Sequence, residues 1–237
     1  MNKMSSIKKE MLALASKERA KASSWFFKTG KGQYGEGDVF LGLTVPEQRA
    51  IAKKYHDLPY SGIKKLLESK YHEHRLTGLL ILVLRYQKSK DVKEKKSIAE
   101  FYLRNRKGIN NWDLVDLSAP RILGNYFFDK DKATLYRFAE SQNLWERRIA
   151  VLATFWFISK GKFDHSLRIA KMLLNDRHDL IHKAVGWMLR EIGKRDEKAL
   201  LNFLDKHCRK MPRTMLRYAI ERLDGKKRTH YMARQPA

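Results

Sequence analysis

The segment NNWDLVD, residues 110–116, places a tryptophan and two carboxylates close together in a strongly basic chain. Trp112 and Asp116 are four residues apart, so in a helix they share one face. A carboxylate beside an indole can stabilise positive charge or hold a water molecule. Asn111 can cap the helix, and Asp113 then lies in the first turn, where the helix dipole favours an anion. Asp113 therefore has a sufficient structural explanation.

Asp116 lies beyond the first turn, so the dipole does not explain it. Two interpretations stay open: an ion pair with a neighbouring arginine, or a functional carboxylate. The tryptophans allow a similar choice. Trp112 and Trp187 stand beside polar and charged residues, although partial burial without function explains either one alone. Trp145 and Trp156 lie in strongly apolar segments, and we expect them in the core.

The composition favours a polyanionic partner, because 50 Lys and Arg stand against 26 Asp and Glu, a formal charge of +24. Nucleic acid is the default partner of such a chain. The single Cys208 excludes an internal disulfide and a cysteine zinc cluster, which fits a reducing cytoplasm. His72 and His74 are two residues apart and face different sides of a helix, so we expect no metal site. No signal peptide or membrane-length apolar run is present, so we expect a cytoplasmic protein without membrane contact.

Strand signals are nearly absent, and the apolar spacing predicts an all-α protein of about ten to thirteen helices. Residues 1–45 are expected to form one long helix followed by a loop, because residues 28–42 hold five of the thirteen glycines. Thr44 and Glu47 have the spacing of a capping box at the start of the next helix. Pro46 is tolerated in that first turn.

Three helical segments share one pattern, a basic residue followed by a dense apolar stripe and a basic exit. They are residues 73–88, 146–160 and 181–194. Their alignment superposes Arg75, Arg148 and Lys183, and Trp112 falls between the first two, at intervals of 37, 36 and 35 residues. This period predicts an α-solenoid of HEAT-like repeats, with a plain helical bundle as the alternative.

In a solenoid, equivalent positions of successive repeats line one surface. Trp112, Arg148 and Lys183 would then stand side by side on a concave basic face, with Trp187 one turn beyond Lys183. Such a face can cradle duplex DNA. We expect one repeat domain over residues 1–237. Its basic tail, residues 225–237, has no expected role in the fold beyond possible DNA contact.

Four motifs in this order resemble a known family over about residues 25–225. They are YGEGDVFLGLTVPEQR, NNWDLVD, LWERRIAVL and KAVGWMLRE. Together they resemble the bacterial alkylpurine DNA glycosylases built from HEAT-like repeats, the AlkD family. One departure is the pair Asp179 and Leu180, which replaces aromatics found in some relatives. This departure bears on the lesion range and the grip on DNA more than on the reaction.

The resemblance implies hydrolysis of the N-glycosidic bond of cationic N3- and N7-alkylpurines in duplex DNA, without enclosing a flipped base, as a step of base excision repair. Asp116 matches the catalytic carboxylate. Trp112 and Trp187 match aromatics that contact the deoxyribose and backbone, and Arg148 matches a phosphate-binding, catalytically important arginine. The role of Asp113 is less clear. The expected DNA contacts are Arg148, Arg147, Lys183, Arg190, Tyr34, Arg49 and Asp113.

The resemblance also implies that no metal or organic cofactor is needed, and we expect a monomer whose partner is alkylated double-stranded DNA. Two other functions stay open. One is a non-catalytic HEAT-like protein that binds branched or distorted DNA, against which the presence of Asp116 and Arg148 argues. The other is a HEAT-like scaffold that binds acidic proteins or RNA, which salt-sensitive binding to duplex DNA would exclude.

Overall fold

Helices make up nearly all regular structure in the computed structural model, which describes residues 3–234. The prediction of an all-α fold is confirmed. Within the described range, β pairing is limited to an isolated bridge between Val39 and Tyr71. The chain divides into two compact units, Met1–Ile122 and Leu123–Ala237. The single repeat domain and its concave face stay predictions.

From residue 3 onwards, where its description begins, the first unit contains seven α-helices. They are α1 (Lys3–Ala13), α2 (Lys17–Phe26), α3 (Val45–Lys54), α4 (Tyr60–Leu67), α5 (His72–Lys88), α6 (Val92–Arg104) and α7 (Trp112–Ala119). Helix α5 packs against α3, α4 and α7. Its apolar side chains are the centre of this unit, since Leu79, Ile81 and Leu82 are fully buried. Each such side chain contributes about 1.5–3 kcal/mol of transfer free energy.

Up to residue 234, where its description ends, the second unit contains eight α-helices. They are α8 (Asn125–Phe127), α9 (Ala133–Ala139), α10 (Leu144–Ser159), α11 (Asp164–Met172), α12 (Asp179–Gly193), α13 (Glu197–His207), α14 (Arg213–Ile220) and α15 (Gly225–Ala233). Helix α12 packs against α10, α13 and α14. The described residues thus hold more helical segments than expected, partly because α8 is a three-residue continuation of α7 and the N-terminal helix is split.

The expectation of one long N-terminal helix is wrong, since the chain breaks between α1 and α2. Ser16 adopts an extended backbone, with φ −134° and ψ 117°, and its hydroxyl caps α2. Its N–H donates to the carbonyl of Leu41 at 2.9 Å. Gly42 packs against the break so closely that a Cβ there would lie 2.3 Å from the carbonyl oxygen of Ser16. The contacts of Ser16 with Leu41 and Gly42 therefore fix the break after α1. The local sequence pattern gives no sign of these contacts, because they come from the loop that follows α2.

The predicted caps of α3 and α7 are confirmed. Thr44 and Glu47 form a reciprocal capping box with a proline in the first turn, and the side chain of Asn111 accepts from the N–H of Trp112 at 2.8 Å. After Ala119 the helix widens into a π-helical turn over Pro120–Gly124. Pro120 has no N–H to donate to the carbonyl of Asp116 four residues earlier, which explains the altered pairing.

Residues 225–233 form a helix, contrary to the expectation of a tail without a role in the fold. Tyr231 of α15 is buried. Its hydroxyl donates to Asp205 of α13 at 3.0 Å, and Arg234 donates to the same carboxylate at 3.0 Å. The prediction considered only the basic residues of this segment and overlooked Tyr231, which anchors the helix. Residues 235–237 of the expected tail lie outside the described range.

Candidate functional site

Helix α7 presents a narrow exposed face that contains the two residues singled out by the sequence. Five of its eight residues are buried, and the partly exposed ones are Trp112, Asp116 and Leu117. The indole and the carboxylate are one turn apart, as the spacing predicts. The structure thus places a partly exposed carboxylate beside a partly exposed aromatic side chain.

Trp112 is held in place by aromatic side chains from other elements. Its ring stacks on Phe27 with centroids 5.3 Å apart and planes 17° apart. Phe27 stacks on Phe40 at 5.1 Å, and Phe40 stacks on the imidazole of His72 at 4.6 Å. Such offset contacts contribute about 0.5–1.5 kcal/mol each beyond area burial. The orientation of Trp112 therefore depends on packing below α7.

A buried polar cluster lies at the inner end of these rings. Nδ1 of His72 lies 3.0 Å from Oδ2 of Asp38, and Nε2 lies 2.8 Å from Oδ2 of Asp113. Arg75 donates to the other oxygen of Asp38 at 2.6 Å, and Asn111 donates to Asp38 at 3.1 Å. All five residues are buried. We call these residues the His72 cluster.

The His72 cluster favours a charged imidazole. Burial opposes protonation, but the Asp113 carboxylate and the hydrogen bond to Asp38 outweigh it and raise the pKa of His72 to about 9. The hydrogen bond from His72 and the charge of Arg75 lower the pKa of Asp38 against the effect of burial. Two cations then balance two carboxylates, which is how a buried charge is tolerated. At neutral pH the cluster ties α7 to α5 electrostatically.

The two carboxylates of NNWDLVD therefore have different environments. Asp113 is 7% exposed and is bonded to His72. Asp116 is partly exposed, and its charge adds to the effect of burial in raising the pKa of Tyr102. The predicted DNA contact of Asp113 stays a prediction, whereas its contact with His72 explains why an acid is present in this first turn.

Two arginines of the first unit are close enough to influence one another electrostatically. The pKa of Arg121 is lowered by burial and by the nearby charge of Arg49. The Arg121 guanidinium also donates to the carbonyl of Leu117, the residue next to Asp116, at 3.0 Å. Arg49 itself is exposed on α3. An exposed cation beside a half-buried one is suited to contact a phosphate.

Tyr34, the other residue expected to contact DNA from this unit, lies in the Gly-rich loop after α2. Its hydroxyl donates to the carbonyl of Phe26 at 3.5 Å, a long hydrogen bond. This contact places Tyr34 near the end of α2.

In the second unit, the two neighbouring arginines of α10 make structural contacts. Arg148 is 5% exposed and donates to the carbonyl of Leu180 in the first turn of α12 at 2.5 Å. Arg147 donates to the carboxylate of Asp176 at 2.6 Å. Both side chains hold α10 to the segment that begins α12. Their predicted phosphate contacts stay predictions.

Helix α12 carries the remaining predicted residues. Lys183 pairs with Asp179 one turn earlier at 2.7 Å, and Arg190 pairs with Glu221. Trp187 is half-buried, with its ring centroid 5.8 Å from that of Phe155 on α10. Trp187 is therefore fixed by the packing of α10 on α12.

The predicted site residues thus fall into two sets. The first unit holds Tyr34, Arg49, Trp112, Asp113 and Asp116, and the second holds Arg147, Arg148, Lys183, Trp187 and Arg190. The alignment of Trp112 with Arg148 and Lys183 stays a prediction. Trp145 and Trp156, which were expected in the core, are both half-buried, and Lys160 lies 5.2 Å from the Trp156 ring centroid.

The sequence profile of the family described as "DNA alkylation repair enzyme" matches residues 7–223, most of the chain. This chain belongs to the DNA alkylation repair enzyme family. A solved structure from Enterococcus faecalis, described as a predicted DNA alkylation repair enzyme, has a similar fold, with a TM-score of 0.69 at 18% identity. The similarity covers 89% of this chain and 97% of that chain. No curated protein matches the chain.

Membership of the DNA alkylation repair enzyme family confirms the expected role in repair of alkylated DNA. Within residues 3–234, no helix is long and apolar enough to cross a membrane. No group of three or more His, Cys, Asp and Glu side chains in that range could hold a metal ion.

Sequence reasoning missed several residues that organise the site of this repair protein. They are Phe27, Asp38, His72, Arg75 and Arg121. Asp38 lies in the Gly-rich loop and His72 begins α5, 34 positions further along the chain. No spacing rule joins such positions, because the pairing arises only when the loop folds back on α5. Arg75 was noticed as a repeat position, but its burial was not foreseen.

Proposed function

We propose that this DNA alkylation repair enzyme is a DNA glycosylase that hydrolyses the N-glycosidic bond of cationic N3- and N7-alkylated purines in duplex DNA. It would act in base excision repair and without enclosing a flipped base. The observation that carries this proposal is the exposed face of α7, where Trp112 and Asp116 stand one turn apart above a buried, charge-balanced support. Membership of the DNA alkylation repair enzyme family supports alkylated DNA as the substrate.

The chemistry follows from the charge of the lesion. A purine alkylated at N3 or N7 is a cation, so it leaves with the bonding electron pair as a neutral base and needs no general acid. Positive charge then develops on the deoxyribose, and a carboxylate stabilises this oxocarbenium-like state. We assign this role to Asp116, which is partly exposed one turn from Trp112. A water molecule adds at C1′ and releases a proton, which leaves an abasic site.

Trp112 is suited to lie against the sugar. Its indole face can add cation–π attraction to a developing sugar cation, and the Phe27 contact fixes its orientation. We propose that Arg49 and Arg121, whose charges influence one another, bind backbone phosphate. In the second unit, we propose that Trp187, Arg148 and Lys183 also contact DNA. We propose a cytoplasmic monomer that needs no cofactor.

The decisive experiment is single-turnover base release from a duplex with one N7-methylguanine, scored for free base and abasic sites. A matched duplex with hypoxanthine, a neutral lesion, is the control. We expect release of the cationic base and none of hypoxanthine, since no acid in the proposed site protonates a neutral leaving group. Tight binding of both duplexes without release would favour a non-catalytic DNA-binding protein. Efficient hypoxanthine release would contradict the proposed mechanism.

A further inference from the structure

Two consecutive aromatic side chains at the end of α2 are exposed to solvent. Trp25 is 75% exposed and Phe26 is 55% exposed. Trp25 is the most exposed large apolar side chain among residues 3–234. Adjacent exposed aromatic residues are unusual on a soluble surface and commonly mark a binding site. Neither residue belongs to the α7 face described above.

The turn that presents these rings is ordered. Lys28 has φ 55°, and it is the one non-glycine residue with positive φ in the described range. Its carbonyl accepts from the N–H of Gly35 at 3.1 Å. Thr29 closes the same turn, because its backbone N–H and its hydroxyl both donate to the carbonyl of Ser24. Phe27, between the exposed rings and Lys28, is fixed under Trp112. The exposed rings therefore project from a constrained backbone.

The surroundings of the pair match an anionic ligand. Nζ of Lys28 lies 4.8 Å from the centroid of the Trp25 ring. Residues 17–31 contain five basic residues and one acidic residue, Glu18. The surface is also continuous with the proposed site, since Phe26 meets Trp112 edge to face with centroids 5.9 Å apart. Apolar rings flanked by cations and adjoining Trp112 fit a nucleic acid better than an apolar protein surface.

We propose that Trp25 and Phe26 form a stacking platform for an unpaired nucleobase of DNA, next to Trp112. Aromatic side chains bind bases through their π-faces, and cations beside them bind the backbone. Paired bases inside a duplex hide their faces, so the occupant is an unpaired base in a single-stranded overhang, at a gap or in a disrupted pair. The platform goes beyond the proposed glycosylase function, because it binds undamaged DNA and takes no part in bond cleavage.

The test compares two undamaged ligands of equal length in fluorescence anisotropy at fixed salt: a single-stranded oligonucleotide and a blunt-ended duplex. In Trp25→Ala, single-strand affinity should fall about 5- to 100-fold, the effect of losing one base–aromatic stack. Affinity for the blunt duplex should change less than about twofold, because its paired bases are not available to stack on Trp25. Trp25→Phe should retain most of the single-strand affinity. Val92→Ala removes another exposed apolar side chain of the first unit, 71% exposed, and should change neither affinity.

Charge and stacking are separated by salt dependence. Trp25→Ala should leave the slope of log affinity against log salt unchanged, whereas Lys28→Gln should reduce it by about 0.7 for single strands. Equal affinity of Trp25→Ala and wild type for the single strand would overturn the proposal, as would equal loss for both ligands. Trp25→Ala could instead abolish self-association or binding to anionic vesicles while single-strand binding stays the same. That result would overturn the proposal and assign the surface to another partner. Absence of glycosylase activity would leave these results unchanged.

Discussion

Nε2 of His72 lies 2.8 Å from Oδ2 of Asp113, deep under the first turn of α7. The other ring nitrogen faces Asp38 at 3.0 Å. Both nitrogens of an imidazole can donate to carboxylates only when the ring is protonated. Asp113 is therefore used to hold α7 on α5, and Asp116 remains on the exposed face with Trp112. The following predictions test this division of roles.

Asp116→Asn should keep the fold and most DNA affinity but reduce base release roughly 10²–10³-fold, the usual loss for one electrostatic stabiliser of a transition state. Asp113→Asn should instead destabilise the fold by on the order of 3 kcal/mol, because His72 loses a buried charge partner. Denaturant unfolding and single-turnover release, measured on both variants, separate the two effects.

The opposite pattern would show that the wrong carboxylate was chosen. It would consist of wild-type excision by Asp116→Asn, with a stable but inactive Asp113→Asn. Asp116→Ala provides a second readout, because an asparagine can still orient water through its amide oxygen.

His72 should make stability pH-dependent. Its pKa is raised from 6.5 to about 9 in the folded chain. The stabilisation from protonated His72 is fully present below pH 6.5 and is lost as the pH rises to about 9. The expected change across this window is about 3 kcal/mol. Urea midpoints of wild type should fall over the window, and His72→Gln should start lower and remain nearly flat.

His74 is the matched control for this titration. It is also buried on α5, but burial and then the charges of Lys8 and Arg75 lower its pKa to about 4. Neutral His74 therefore contributes stability that is lost as the pH falls from 6.5 towards 4. His74→Gln should leave the slope between pH 6.5 and 9 unchanged. An equal flattening of that slope in both variants would rule out the His72 assignment.

Arg49 should contact a DNA phosphate. Arg49→Gln should lower affinity for duplex DNA and reduce the slope of log affinity against log salt by about 0.9, the contribution of one phosphate contact. Lys93→Gln removes an exposed cation from the N-terminal end of α6 and is the control for lost net charge. If both variants shift the slope equally, Arg49 acts through general charge and not through a contact.

Gly186 should be required for the position of Trp187. A Cβ at residue 186 would lie 2.5 Å from both the carbonyl oxygen of Met215 and the Cβ of Tyr218 on α14. Gly186→Ala should therefore force α12 and α14 apart at a cost of about 1–3 kcal/mol. Gly225→Ala meets no atom within 4 Å and should be neutral. Thermal unfolding of both variants tests this difference, and equal stability would contradict the close packing.

Local sequence rules determined the helical class, the caps of α3 and α7 and the shared face of Trp112 and Asp116. These features depend on residues at most four positions apart, whose relative positions a helix fixes without help from the rest of the chain. The family resemblance came from the same motifs. The split between α1 and α2 and the docking of α15 were not foreseen, because each depends on a contact with a residue more than twenty positions away.

Only the tertiary structure decided which acid is buried and which stays partly exposed. In the sequence the helix dipole accounts for Asp113 but names no partner for it, whereas in the fold α7 packs with Asp113 towards α5, where His72 and Asp38 complete a neutral cluster. The same packing placed Phe27 under Trp112 and left Trp25 and Phe26 in solvent. The direction that a helical side chain faces is local, but its neighbours are set by long-range packing. Burial and charge pairing then determine whether a carboxylate supports the fold or remains available for chemistry.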